Sequence, residues 1–149
     1  ESTGQHDANT TLYSKAYAHY NRGIAHDRLG RYYEAIDDFS TAIKILPYNA
    51  DFYHNRGFCY RKKGHKEGYE AAIKDYTSAL EVDENHFKSL YNRATSYEKL
   101  DLIGEAIADY TRALALQPLN ADIWFNRANL YNRMKKYAEA LKDYDHGIQ

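Results

Sequence analysis

Asn21-Arg22-Gly23 returns as Asn55-Arg56-Gly57, as Asn92-Arg93-Ala94 and as Asn126-Arg127-Ala128, at spacings of 34, 37 and 34 residues. Self-similarity at a fixed period of this length marks stacked supersecondary units. Each return carries the same template outward. A bulky residue stands four places before the small one (His19, Tyr53, Leu90, Trp124), and a ring follows three places after it (His26, Tyr60, Tyr97, Tyr131). Spacings of 3, 4 and 7 put these on one stripe of a helix. A second stripe follows in every unit: Ala35, Ala72, Ala106 and Ala140, then Phe39, Tyr76, Tyr110 and Tyr144, then Ala42, Ala79, Ala113 and Gly147. Each unit is therefore two amphipathic helices, with small residues facing rings so that the pair closes to high density. Gly30 and Gly64 lie between the helices where a tight turn is needed, and Asp101 and Lys135 take the matching places later. The only prolines, Pro47 and Pro118, both fall just after a second helix and end it.

This pattern resembles the tetratricopeptide repeat: a bulky residue or Trp, then Gly, Tyr, Ala, Phe and Pro over 34 residues. Trp124, Ala128, Tyr131, Ala140 and Tyr144 carry the resemblance in the fourth unit; His19, Gly23, Ala35, Phe39, Ala42 and Pro47 carry it in the first. The expected fold is all-α, a right-handed superhelical solenoid of four helix-turn-helix repeats near residues 16–49, 50–86, 87–120 and 121–149, the last truncated. The repeat array occupies 12–149, and the polar segment 1–11, which includes the Asn9-Thr10-Thr11 sequon, is expected to be disordered. The second unit gains three residues around Lys66-Glu67-Gly68-Tyr69-Glu70, expected to form a longer turn or an extra helical turn.

Where the repeat usually has Leu, this chain has Arg22, Arg56, Arg93 and Arg127, each matched by an acid immediately before the second-helix ring: Asp38, Asp75, Asp109 and Asp143. Four matched pairs predict Arg-Asp bridges, within a unit or between neighbours.

Composition narrows the function classes. A formal net charge of -1 argues against a nucleic-acid footprint, and no apolar run approaches the ~18 residues that span a bilayer. The single cysteine, Cys59, cannot form an internal disulfide and reads as a small buried hydrophobe. No phosphate loop, nucleophile elbow or zinc spacing is present, so neither enzyme activity, cofactor nor metal is expected. His19 and His26, seven apart, occupy template positions and are assigned to packing. The chain begins at Glu1 and reads as an excerpt, with a cytoplasmic setting expected.

Function is then expected on the face made by the first helices. Asn21, Asn55, Asn92 and Asn126 sit one turn off the core stripe; each amide offers a donor and an acceptor, and four at repeat spacing form a ladder for an extended peptide backbone. Seven residues on come Arg28, Lys62, Lys99 and Arg133, a basic line that suits an acidic partner. One residue before each Asn stand Tyr20, His54, Tyr91 and Phe125, read as flat apolar contacts. The resemblance implies a protein-interaction module. In peroxisomal import receptors and the O-linked N-acetylglucosamine transferase, a groove asparagine at this repeat position holds peptide backbone. Chaperone-tail binders use a clamp of Lys, Asn, Asn, Lys and Arg; the matching places here are Tyr20, Ile24, Asn55, Lys88 and Asn92, or His54, Phe58, Asn92, Asp122 and Asn126, so no binding of Glu-Glu-Val-Asp tails is expected. The alternative is a spacer or a self-associating segment of a longer solenoid, since Leu141 and Ile148 would stand partly uncovered; an excerpt of an enzyme with its catalytic domain elsewhere ranks third.

Overall fold

The computed structural model describes residues 2–149, with side chains from residue 4 onward; among these residues the regular structure is helical throughout. They divide into two compact units meeting between Glu84 and Asn85.

The first unit holds α1 (Ser2–Arg28), α2 (Tyr32–Ile45), α3 (Ala50–Lys63) and α4 (His65–Val82). Each helix packs on the next in sequence, as the short connections require. Ala16, Ala42 and Phe52 form one buried cluster, with Tyr17 and Tyr20 against it; Ala35, Ile36, Phe39 and Cys59 form a second. The small-facing-ring logic is literal at Gly23, where an added Cβ would stand 2.7 Å from the Phe39 ring. Asn49 caps α3 by accepting from the Asp51 N–H at 3.0 Å, and its own amide donates to the Tyr17 hydroxyl at 2.8 Å.

The second unit holds α5 (Phe87–Lys99), α6 (Ile103–Leu116), α7 (Ala121–Arg133) and α8 (Tyr137–Ile148), again packed in chain order. Leu90, Ala94, Ala106, Tyr110, Ala113, Ile123, Ala128 and Leu130 are buried. The fourth repeat, shorter in sequence, still supplies both helices.

The turns between paired helices require left-handed backbone. Gly30 takes φ 76°, and the matching Asp101 and Lys135 both take φ 61°. The next residue then closes the helix end in the same way three times: Arg31, Leu102 and Lys136 N–H donate to the carbonyls of His26, Tyr97 and Tyr131, each at 2.9 Å. The motif holds even where glycine is absent.

Two expectations are refined. The three-residue insertion becomes an extra helical turn: α4 has 18 residues where α2 and α6 have 14. Gly68 makes that turn possible, since a Cβ there would lie 2.6 Å from the Tyr60 carbonyl oxygen. The segment 1–11, expected to be disordered, instead continues α1 outward from Ser2, residue 1 lying outside the described residues. Its residues 4–11 are exposed, and Thr10 and Thr11 hydroxyls donate to the carbonyls of His6 and Asp7 at 2.9 Å. Packing from Ala16 onward supplies the nucleus, and extending a nucleated helix needs only one bond per residue.

Candidate peptide-binding face

The first helix of each repeat orients its functional side chains through its arginine. Arg22 donates to both Asp38 oxygens at 2.8 and 2.7 Å, Arg56 to Asp75 at 2.9 and 2.7 Å, Arg93 to Asp109 at 2.6 and 2.8 Å, and Arg127 to Asp143 at 2.7 and 2.8 Å. All four pairs close within their own repeat, and every carboxylate is buried. A fork of this kind fixes the roll of the first helix against the second. Two of the arginines also reach one repeat back: Arg56 Nη1 donates to Ser40 at 3.1 Å, and Arg127 Nη1 to Thr111 at 3.0 Å.

The carboxylates differ in environment. Arg22 holds the Asp38 carboxyl below its usual range, with His19 Nδ1 adding a contact at 3.1 Å. Burial pushes Asp75 up, outweighing the pull of Arg56. His19 and His26 both turn toward Asp38, His26 at 3.9 Å. Among the described residues no group of three or more His, Cys, Asp or Glu could hold a metal ion, and no helix is long and apolar enough to cross a membrane.

The template asparagines lie at or near the surface of the first helices: Asn21 is exposed, and Asn55, Asn92 and Asn126 are half-buried. Asn55 Nδ2 donates to the Tyr20 hydroxyl at 2.7 Å, and Asn126 Nδ2 to the Tyr91 hydroxyl at 3.3 Å, each reaching one repeat back. His54 Nδ1 meets the Asn55 Oδ1 at 3.2 Å. These amides therefore sit in fixed orientations, with one of two N–H groups engaged.

The rings preceding the asparagines pack inward. Tyr20 lies 4.8 Å from Phe52 and 5.8 Å from Phe39; Tyr91 lies edge-on to Tyr110 at 6.0 Å. His54 is buried against Tyr76, and the Phe125 ring seats on Gly147. What Tyr20 and Tyr91 leave to a ligand is a hydroxyl rather than a flat face. The sequence reading missed this; the 35-residue spacing from Tyr20 to Asn55 and from Tyr91 to Asn126 was the available signal.

The bases end the first helices. Lys62 Nζ pairs with Asp27 Oδ1 at 2.9 Å while standing 4.6 Å over the Phe58 ring, and Arg133 pairs with Asp101. These acids of the preceding repeat, whose pairing with the bases the sequence did not suggest, offset half of the expected basic line. Arg28 and Lys99 are exposed and hold no ion pair among the described residues. The extra turn of α4 also borders an open cavity of about 710 Å³ in the first unit, lined by Tyr32, Tyr33, Tyr60, Lys62, Lys63 and Gly68 among others. Cys59 is buried, donates to Asp27 Oδ1 at 3.5 Å, and its thiol is pushed up to about 12 chiefly by burial.

Paired helices repeated four times, each pair locked by one Arg-Asp fork, define an all-α repeat protein of the helix-turn-helix kind. Matches to the tetratricopeptide repeat cover residues 16–49, 50–86, 87–118 and 109–142, and the chain belongs to that family. It is similar to the mitochondrial import receptor subunit TOM70 of Rattus norvegicus, 33% identical over 92 residues, which cover 58% of this chain and 15% of the receptor. The chain thus spans a small fraction of that relative's length. Among solved structures it superposes on MamA with a TM-score of 0.84 at 16% identity, covering 89% of this chain and 76% of MamA. It superposes on the first TPR of Spaghetti (RPAP3), solved bound to the HSP90 peptide SRMEEVD, with a TM-score of 0.77 at 24% identity, covering 82% and 94%. At these identities the structural likeness establishes the fold.

Proposed function

We propose that the chain is a protein-interaction module that holds a peptide segment of a partner against its first helices, without chemistry of its own. One observation carries this: in each unit an asparagine amide on the first-helix face is held in place by a tyrosine hydroxyl of the preceding repeat, Asn55 by Tyr20 and Asn126 by Tyr91. Each such pair keeps one amide N–H and the hydroxyl proton available to a peptide group, already oriented, so little ordering is lost on binding. The solved complex of the RPAP3 repeat with an HSP90 peptide supports a peptide as the kind of ligand. The ligand contacts backbone at the amides, and its charge matters at Arg28 and Lys99, so acidic segments are favoured modestly. Glu-Glu-Val-Asp tails are not the expected ligand, because Tyr20, Ile24 and Asn92 stand where the tail-binding clamp has Lys, Asn and Arg.

The same bonds favour a second reading, in which the Asn-Tyr pairs join successive repeats and the chain is a spacer. A peptide array probed with wild type and with Asn55→Ala, Asn126→Ala separates the two. Module function requires bound peptides whose signal falls several-fold in the variant irrespective of sequence. Absence of any bound peptide, with the variant merely less stable, supports the spacer.

A further inference from the structure

We propose that the cleft beside the inserted turn of the second repeat is a second docking site, taking a partner segment in which an acidic residue adjoins an apolar one. The cleft holds about 710 Å³, within the range of ligand-binding cavities. Its walls come from the start of α2, the end of α3 and the start of α4, so both repeats that frame it belong to the first unit. Asn21, Asn55 and Tyr20 are not among its walls, and Lys62 alone is common to the cleft and the face described above. The site therefore does not depend on the asparagine ladder.

Two successive lysines end α3 and differ in what holds them. Lys62 stands over Tyr32 at 5.5 Å and Phe58 at 4.6 Å, and Asp27 neutralises it at 2.9 Å. Lys63 stands over Tyr33 at 4.2 Å and Tyr60 at 5.9 Å, and holds no ion pair among the described residues. Its ammonium is held by two ring faces with its charge uncompensated. A carboxylate arriving there meets a cation whose stem is already oriented, so less rotamer freedom is lost than at a free lysine. Tyr33 is 69% exposed, and what Lys63 leaves of its ring gives the adjoining apolar side chain a surface to cover.

Charge balance selects the occupant. Glu67 lines the same cleft and Asp27 already answers Lys62, so one permanent cation is left for the ligand; His65 on the wall adds charge only when protonated. A single carboxylate matches that balance, whereas a dianionic phosphate would face one ammonium and a like charge. The cleft is open, so it does not enclose a small molecule as a cofactor site does, but a chain can cross it. These features also stand outside the repeat template. At the junction within the second unit, the places of Tyr32, Tyr33 and Lys63 hold Ile103, Gly104 and Met134, and α8 lacks the inserted turn that brings Glu67 and Gly68 to the cleft. Packing demands common to both junctions therefore do not account for the ring pair and the cation.

Amide NMR titration of the chain with acetyl-Ala-Phe-Glu-Ala-amide tests this, beside the same peptide with Gln for Glu and one with phosphotyrosine-Gln for Phe-Glu. The Glu peptide is expected to shift the amides of Tyr33, Lys63, Gly64 and His65 saturably, with a Kd about tenfold below that of the Gln peptide, the difference between a charge-assisted and a neutral contact. Lys63→Met, at an exposed position, is expected to make the two peptides equal. Tyr33→Ala is expected to weaken both several-fold, with circular dichroism checking that each variant keeps its helicity. Asn55→Ala combined with Asn126→Ala is expected to leave this Kd unchanged, which separates the cleft from the asparagine face. No saturable shift of these amides at about 10 mM peptide would overturn the proposal. So would equal binding of the Glu and Gln peptides, tighter binding of the phosphotyrosine peptide than of the Glu peptide, or Lys63→Met keeping the preference for Glu.

Discussion

Arg56→Ala is the substitution that bears most directly on the Arg-Asp forks. It removes two hydrogen bonds to Asp75 and one to Ser40, and leaves a carboxylate that is 3% exposed without its counter-charge. Stripping the partner from a buried ion costs about 3–5 kcal/mol. Arg22→Ala removes the same fork, but that guanidinium is 64% exposed and Asp38 keeps His19 at 3.1 Å, so a clearly smaller loss is expected. For a chain of this size each kcal/mol moves Tm by about 3 °C, so Arg56→Ala should lower Tm by roughly 9–15 °C and Arg22→Ala by visibly less. The deficit should also depend on pH. Burial already raises Asp75, and losing Arg56 raises it further; a carboxyl raised on folding loses stability as pH climbs from its unfolded to its folded pKa. Arg56→Ala is therefore worse at pH 8 than at pH 5. Replacing both partners, Arg56→Leu with Asp75→Leu, should recover most of the loss, because no buried charge remains. Thermal and urea unfolding followed by circular dichroism measure all of this. Arg56→Ala costing no more than Arg22→Ala, or costing the same at both pH values, refutes the reasoning.

Acid should act oppositely on Asp38: its pKa is lowered on folding, so its contribution is full above the ordinary carboxylate range and lost as pH falls through the folded value. Asp38→Asn is thus expected to flatten the acid limb of a stability-pH curve, and an unchanged limb contradicts it. Gly68→Ala places a methyl 2.6 Å from the Tyr60 carbonyl oxygen, a backbone atom that cannot turn aside; the gain of about 1 kcal/mol in helix propensity should be outweighed, with a net loss of about 1–2 kcal/mol in urea titration. Asn55→Ala deprives the Tyr20 hydroxyl of its donor and should cost about 1 kcal/mol, read in the same titration. With its thiol near 12, Cys59 should resist iodoacetamide at pH 8 until the chain is unfolded; rapid labelling of the native protein would show that the pocket around Asp27 opens.

What sequence could reveal followed the period. Positions that recur, such as Gly23, Ala35, Phe39 and the four arginines, do the same work in each repeat, so their number made their role legible without coordinates. The Arg-Asp forks were readable as pairings for that reason, although spacing alone left open whether they closed within a repeat or between repeats. Contacts that run one repeat back were harder to see. Tyr20 to Asn55 and Asp27 to Lys62 join residues 35 apart, and a template read unit by unit assigns both partners to separate stripes. The N-terminal helix was illegible for another reason: polar composition reports the absence of a core, whereas a helix anchored by packing at Ala16 extends without one.

One side chain links these scales. Within a repeat the arginine's Nε and Nη2 fix the second helix through aspartate, and its Nη1 reads the second helix of the repeat before it. Leu in that position could fill space but could not distinguish a hydroxyl from a carboxylate across the junction. A repeat that carries Arg therefore has chemical selectivity for what it stacks upon, in addition to shape. Exchanging Ser40 for Ala tests the internal case without touching the fork. If the junction between the first two repeats depends on that hydroxyl, hydrogen exchange in α2 and α3 should quicken several-fold while the Arg56–Asp75 pair stays intact. Unchanged exchange would mean that apolar packing around Ile36 and Cys59 alone sets the stacking, and that the third arginine bond is incidental.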